Sequence, residues 1–208
     1  MNTTNLKAAF YSSGSYIRQF TSKIFSFVTK SRSKEDDVIN MNEVLFYGGS
    51  DEEQSKQVGL NNLQCIAYII QHACRSVDVC VPSLASNTII KSLMSAAKRN
   101  NVKIRIVVHS DDFHCLQSFT ENGIQVKVIN SAVALEHDFI LIDTSGDFED
   151  AVAVIGSIDY EPSRVNCNSD ATILTSDIKV VNALMKEFDR VWHSEENVIF
   201  QNKDYKSC

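Results

Sequence analysis

The sequence predicts an α/β domain: a mixed, mostly parallel sheet with helices on both faces. Three observations predict it. Between residues 43 and 193, short β-branched apolar runs alternate with stretches whose apolar residues recur at helical spacing. The 208 residues, 44% apolar and 22% charged, suit one globular core and exclude a disordered chain. Seven glycines and two prolines exclude collagen-like and proline-rich chains, and no glycine-rich phosphate loop is present.

The elements follow in order. EVLFY (43–47) reads as a strand and GGSDEEQSKQ (48–57) as a polar loop. Leu60, Leu63, Ile66, Ala67, Ile70 and Cys74 mark a helix over 59–75. VDVCV (77–81) is a strand stopped by Pro82. Asn87 is placed to cap a helix carrying Ile89, Ile90, Leu93, Met94 and Ala97. KIRIVVH (103–109) is a strand. Leu116 and Phe119 mark a short helix with Gly123 at its C-terminal cap. IQVKVI (124–129), HDFILID (137–143), AVAVIGS (151–157) and ATILT (171–175) are strands. A last helix, 177–193, buries Ile178, Val181, Leu184, Met185, Phe188, Val191 and Trp192.

The chain divides into a basic amphipathic segment (1–34), a linker (35–42), the α/β domain (43–193) and a polar tail (194–208). Six scattered cysteines fit reduced, mostly buried thiols better than a disulfide framework. Residues 1–34 hold six bases and no acid. The other 174 hold 14 bases and 26 acids, a formal −12. A body this acidic repels polyanions, so nucleic acid is not an expected partner.

Within 8–30 no apolar run is long enough to span a bilayer, and no compact apolar core of a secretory signal is present. Ile17, Phe20, Ile24, Phe27 and Val28 instead fall on one stripe of a helix, with Arg18, Ser22, Lys23 and Ser26 opposite. That pattern fits a mitochondrial presequence, an anchor lying in a membrane surface, or a tail that packs on nothing.

The ordered stretches EVLFY, SVDVCVPSLAS (76–86), NNVKIRIVVHSDD (100–112), NGIQVKVI (122–129), EHDFILID (136–143), VIGSIDYEPSRVNCNSDATIL (154–174) and EFDRVW (187–192) resemble one family. It is the mitochondrial cardiolipin hydrolase (Zucchini) branch of the phospholipase D-like proteins. The resemblance implies a dimeric phosphodiesterase fold, acting on cardiolipin or as a piRNA-pathway endonuclease at the mitochondrial outer membrane; a cytoplasmic site remains the alternative. It also implies that each subunit gives one His-x-Lys-x4-Asp motif to a shared site. One His attacks phosphorus, the other protonates the leaving oxygen, and the Lys pair holds the phosphate.

This chain departs from that motif. Glu136 stands at the His position, Asp138 at the Lys position, and only Asp143 is retained. No histidine here is followed two residues later by lysine. Gly156-Ser157 matches the family's Gly-Ser, but Asp159 replaces its Asn; Asn168 and Asp170 match its Asn-x-Glu. His137, the candidate substitute nucleophile, falls on the opposite strand face by alternation.

The resulting acidic cluster has three readings: drift in a disused cleft, a divalent-cation site, or a new acid/base pair. The loop His109–Cys115 carries metal-type ligands at no familiar zinc spacing, and the family's small zinc-binding insertion is absent. The expectation is therefore a catalytically inactive, cofactor-free binding or regulatory module. It would be homodimeric or paired with an active relative, with residues 8–30 reaching a membrane surface. An active phosphodiester hydrolase with a rearranged site is the alternative.

Overall fold

The computed structural model describes residues 41–47, 52–99, 102–109, 113–129, 134–146, 150–157, 170–195 and 197–199. The basic segment, Asp159, Asn168 and most of the polar tail lie outside them.

Among the described residues, eight strands form one sheet: β1 (Asn42–Tyr47), β2 (Ser76–Val81), β3 (Lys103–Val108), β4 (Gln125–Ile129), β5 (Phe139–Ile142), β6 (Val152–Gly156), β7 (Asp170–Thr175) and β8 (Asn197–Ile199). Their spatial order is β1-β7-β6-β5-β2-β3-β4-β8. The sheet is mixed as expected, but parallel pairing is confined to β2–β3 and β3–β4; the other neighbours are antiparallel. Parallel neighbours need crossover helices, and only two stretches between strands supply them there. These are α2 (Asn87–Ala97) and α3 (Phe113–Glu121), which with α1 (Glu52–Gln71) cover one face. A fourth helix, α4 (Ile178–Trp192), packs on β5 and β6 from the other side.

Alternation along each strand feeds two cores. Val77, Val79, Ile104, Ile106, Ile140, Ile142, Val152 and Val154 point towards α1, α2 and α3. Cys80, Val107, Phe139, Leu141 and Ala153 point towards α4, against Val181, Phe188 and Val191. The central strand β2 is buried at all six positions, which is why it is apolar except at Ser76 and Asp78.

Several boundaries differ from the sequence reading. α1 begins at Glu52 inside the expected polar loop, because Glu, Gln and Lys are good helix formers and acids suit a first turn. It ends at Gln71, so Cys74 sits in an exposed turn instead of on a packed face. Ser86, not Asn87, caps α2: its hydroxyl accepts from the Ile89 N–H while its backbone is extended. Gly123 does terminate α3, at φ +77°. β5 starts at Phe139, two residues late, and stops before Asp143, whose φ of +57° turns the chain out of the sheet. Ile178 is exposed despite its place on the helical stripe, because it lies in the first turn. The polar tail contains a strand, β8, paired antiparallel with β4 through Val198 opposite Val128.

A buried ion pair crosses the α4 side. Asp78 of β2 lies opposite Arg105 of β3, and the guanidinium forks onto the carboxylate with both N–O distances at 2.7 Å. Asp78 is almost wholly buried. The same guanidinium stacks 4.7 Å from the Phe188 ring and 5.4 Å from Trp192. Burial disfavours the Arg105 cation, but Asp78 and then Asp189 more than compensate and hold its pKa above the ordinary value.

Candidate functional site

The expected site residues are divided between two edges of the sheet. β6 ends at Gly156, whose N–H donates to the Asp138 carbonyl at 3.0 Å, so Asp138 lies beside the Gly156-Ser157 step. Gly156 faces Thr172 of β7, and the Thr172 hydroxyl donates to the Ser157 carbonyl at 3.4 Å. Asp170 opens β7 on the same edge, opposite Tyr47; its carboxylate accepts from the Ala171 N–H at 2.7 Å. This is the edge where β2 and β3 end, the customary place for sites in α/β sheets. Glu136 is exposed in the approach to β5. Asp138, Ser157 and Asp170 are thus brought to one edge.

The glycine at this edge is required. Gly156 has φ +117°, and a Cβ there would fall 2.5 Å from the Ala171 carbonyl oxygen. β6 and β7 approach each other closely here only because position 156 carries no side chain.

Asp143 does not join the site. It sits at the far end of β5, roughly 16 Å along the strand from Asp138 at about 3.3 Å per residue. Its carboxylate is buried and accepts backbone N–H groups from Cys74 (2.9 Å to each oxygen), Arg75 (2.6 Å) and Ser76 (3.1 Å). The Arg75 guanidinium donates to the Asp143 carbonyl at 2.8 Å, and the Asp143 N–H donates to the Ser76 carbonyl at 2.8 Å. Asp143 is a staple between the end of β5 and the start of β2, with its oxygens committed to the backbone.

His137 turns towards α4. Its Nε2 lies 2.6 Å from the Glu187 carboxylate of α4, and its ring stands 6.1 Å from that of Phe139. Arg190 forks onto the same carboxylate at 2.7 and 2.8 Å. These Arg190 hydrogen bonds, opposed by partial burial and aided by the His137 bond, lower the Glu187 pKa to about 2. The sequence reading missed this cluster, since its members are fifty residues apart. An acid and a base three residues apart in EFDRVW were the only signal.

Two buried thiols offer no nucleophile. Burial pushes Cys65 up to about 11. Burial, with the charges of Glu187 and Asp138 adding and that of Arg190 opposing, pushes Cys80 up to about 12. Among the described residues no three His, Cys, Asp or Glu side chains are gathered as metal ligands. In the metal-type loop, His109 is half-buried and its N–H donates to the Pro82 carbonyl; residues 110–112 lie outside the described set. No described helix is long and apolar enough to cross a membrane.

Comparison with known proteins agrees with this architecture. The chain is 25% identical over 124 residues to a mitochondrial cardiolipin hydrolase of Chlamydomonas reinhardtii, covering 58% of this chain and 52% of that one. It is 25% identical over 122 residues to a mitochondrial cardiolipin hydrolase of Xenopus laevis, covering 57% and 55%. The matched part spans about half the length of these curated relatives. Among solved structures, the phospholipase D family member Nuc of Salmonella typhimurium superposes with a TM-score of 0.56 at 15% identity, over 78% of this chain and 99% of Nuc. NucT of Helicobacter pylori gives 0.55 at 16% identity, over 77% and 99%. At these identities the two structures speak for the fold alone. The family model for the phospholipase D-like domain of cardiolipin synthase matches residues 66–192, more than half of the chain, and the chain belongs to that family.

Proposed function

We propose that this chain is a phospholipase D-like protein that no longer hydrolyses phosphodiesters and acts as a binding or regulatory module. The observation that carries the reading is Glu136 and Asp138 at the positions where the family motif needs His and Lys. A phosphate approaching a carboxylate to about 4 Å is repelled by roughly 1 kcal/mol per unit charge in water and about 4 at an effective dielectric near 20. A lysine at the same place would attract by similar amounts. Asp170 adds a further carboxylate to the edge, and a two-fold dimer would double the set. The nearest imidazole, that of His137, is engaged by Glu187 on the other side of the strand.

The names of the matched relatives support a mitochondrial setting for this chain. We extend the proposal to a homodimer, or a dimer with an active relative, formed through the edge that carries Asp138 and Asp170. A divalent cation held there by oxygens would be compatible with the module reading.

The competing reading is a working phosphodiester hydrolase, favoured by the relatives' names as hydrolases. The two readings are separated by incubating the full chain with cardiolipin vesicles and with single-stranded RNA. The module reading expects no turnover above a buffer control. Turnover that disappears in Glu136→Ala, or in His137→Ala, would overturn it.

A further inference from the structure

One face of the sheet is incompletely covered by described elements. α4 packs on β5 and β6 and leaves the β1–β7 end of its own side open. Val44, Ile173 and Ile155 lie side by side across β1, β7 and β6, and Phe46 stands two residues on from Val44. Phe46 is 38% exposed and Ile173 43%, and the first turn of α4 adds Ile178 at 42% and Val180 at 37%. These four are the exposed large hydrophobics among the described residues. Val44, Phe46, Ile155 and Ile173 share one face of the sheet and form a patch of the kind that marks an interaction surface.

We propose that this patch is the seat of the chain's own stretch 17–28. Three observations select that occupant. The first is where the chain enters. The Met41 N–H donates to the Ser176 hydroxyl at 2.8 Å and the Ser176 N–H donates to the Met41 carbonyl at 2.8 Å, so residue 41 is pinned beside the start of α4, next to Ile178. Thirteen residue steps join Val28 to Met41, a reach of up to about 40 Å, ample to fold the stretch back.

The second is shape. Ile17, Phe20, Ile24, Phe27 and Val28 form one apolar stripe when wound as a helix about 18 Å long. The strand from Asn42 to Phe46 is about 13 Å long, so the stripe spans the patch.

The third is charge. Residues 1–34 carry six bases and no acid, against a body of formal charge −12. An anionic membrane would be repelled by a body this acidic, whereas a helix carrying Arg18 and Lys23 would be attracted to it. A stripe seated in this way is withheld from other apolar surfaces.

The test uses the full chain and limited trypsin digestion, read as cleavage after Arg18 and Lys23. Docking predicts cleavage about tenfold or more slower than in a free peptide of residues 8–34, independent of protein concentration. Phe46→Thr/Ile173→Thr keeps strand propensity and removes the patch; Phe20→Ser/Phe27→Ser removes the stripe without touching the sheet. Each should restore fast cleavage, and combining them should add nothing. The stripe variant should also bind an apolar fluorescent dye that the wild type excludes, a readout that stands even if the patch variant is unstable. Cleavage of the wild type as fast as the free peptide overturns the proposal. So does equal dye binding by wild type and stripe variant. Protection that grows with protein concentration, or that appears only with anionic vesicles, assigns the patch to a second copy or a membrane and overturns it as well.

Discussion

Replacing Asp143 tests whether this residue serves the fold. Its carboxylate accepts N–H groups from Cys74, Arg75 and Ser76, and its backbone sits at φ +57°. A hydrogen bond to a charged acceptor contributes about 1.5–3 kcal/mol, and the three here share two oxygens, so their sum is less than additive. Alanine would orphan all three donors at the entry to β2 and add about 1 kcal/mol for a left-handed L-residue. The expected loss for Asp143→Ala is about 4 kcal/mol. Asparagine tolerates the left-handed region and keeps the shape, but it loses the charge and turns an NH2 towards backbone donors; about 2 kcal/mol is expected. With a urea m-value of about 2 kcal/mol/M, the midpoints should fall by about 2 M and 1 M, with m unchanged. The assay is urea unfolding followed by circular dichroism. An Asp143→Ala protein that unfolds within about 0.5 kcal/mol of the wild type would refute the staple.

Three further outcomes follow from the geometry. Arg105→Met strands the buried carboxylate of Asp78 and should cost about 3–5 kcal/mol, while Asp78→Leu/Arg105→Met should recover most of it; thermal unfolding of the three proteins checks the order. Gly156→Ala drives a Cβ into the Ala171 carbonyl at positive φ, and a fall of at least about 5 °C in Tm is expected, with no fall counting against the close β6–β7 approach. Glu187 has its folded pKa lowered from 4.5 to about 2, so the stability it contributes is present above pH 4.5 and lost as pH falls through 2. The cluster is partly solvated, which leaves about 1 kcal/mol after screening; Glu187→Gln should be weaker than the wild type by that amount at pH 7 and equal to it near pH 2.

Much of the fold was legible because the strands carry their signal locally. VDVCV, KIRIVV and VAVIG are β-branched runs that few other structures accommodate, and each is a strand within a residue or two. What failed depended on distant partners. Nothing in NVI (197–199) announces a strand; it forms by pairing with β4, about seventy residues earlier. Ile178 continues a helical stripe but projects past the cover of the sheet, a fact of placement and not of periodicity. Asp78 and Arg105 each interrupt an apolar run, and that interruption, read at both strands together, was the available sign of a buried pair. At the site, Glu187, the partner of His137, could not be named from one strand alone. Asp143 was grouped with Glu136 and Asp138 because the motif is contiguous in sequence. Five residue steps of extended chain carry it to the opposite edge of the sheet.

The separation of those edges bears on the proposed loss of turnover. At the edge that carries Asp138, Gly156, Ser157 and Thr172 keep the backbone in place by contacts that involve no charge. A substitution at Asp143 would undo three backbone hydrogen bonds and the turn into β2. On the proposed reading, replacement at the exposed position 136 spares the fold and replacement at 143 is costly. The chain has acids at 136 and 138 and an aspartate at 143, the pattern that the proposed loss of turnover expects. A site remodelled for a new reaction would instead be expected to gather fresh ligands or a titrating pair at the edge. The described part of that edge shows an exposed Glu136 and an Asp170 bonded to its own strand.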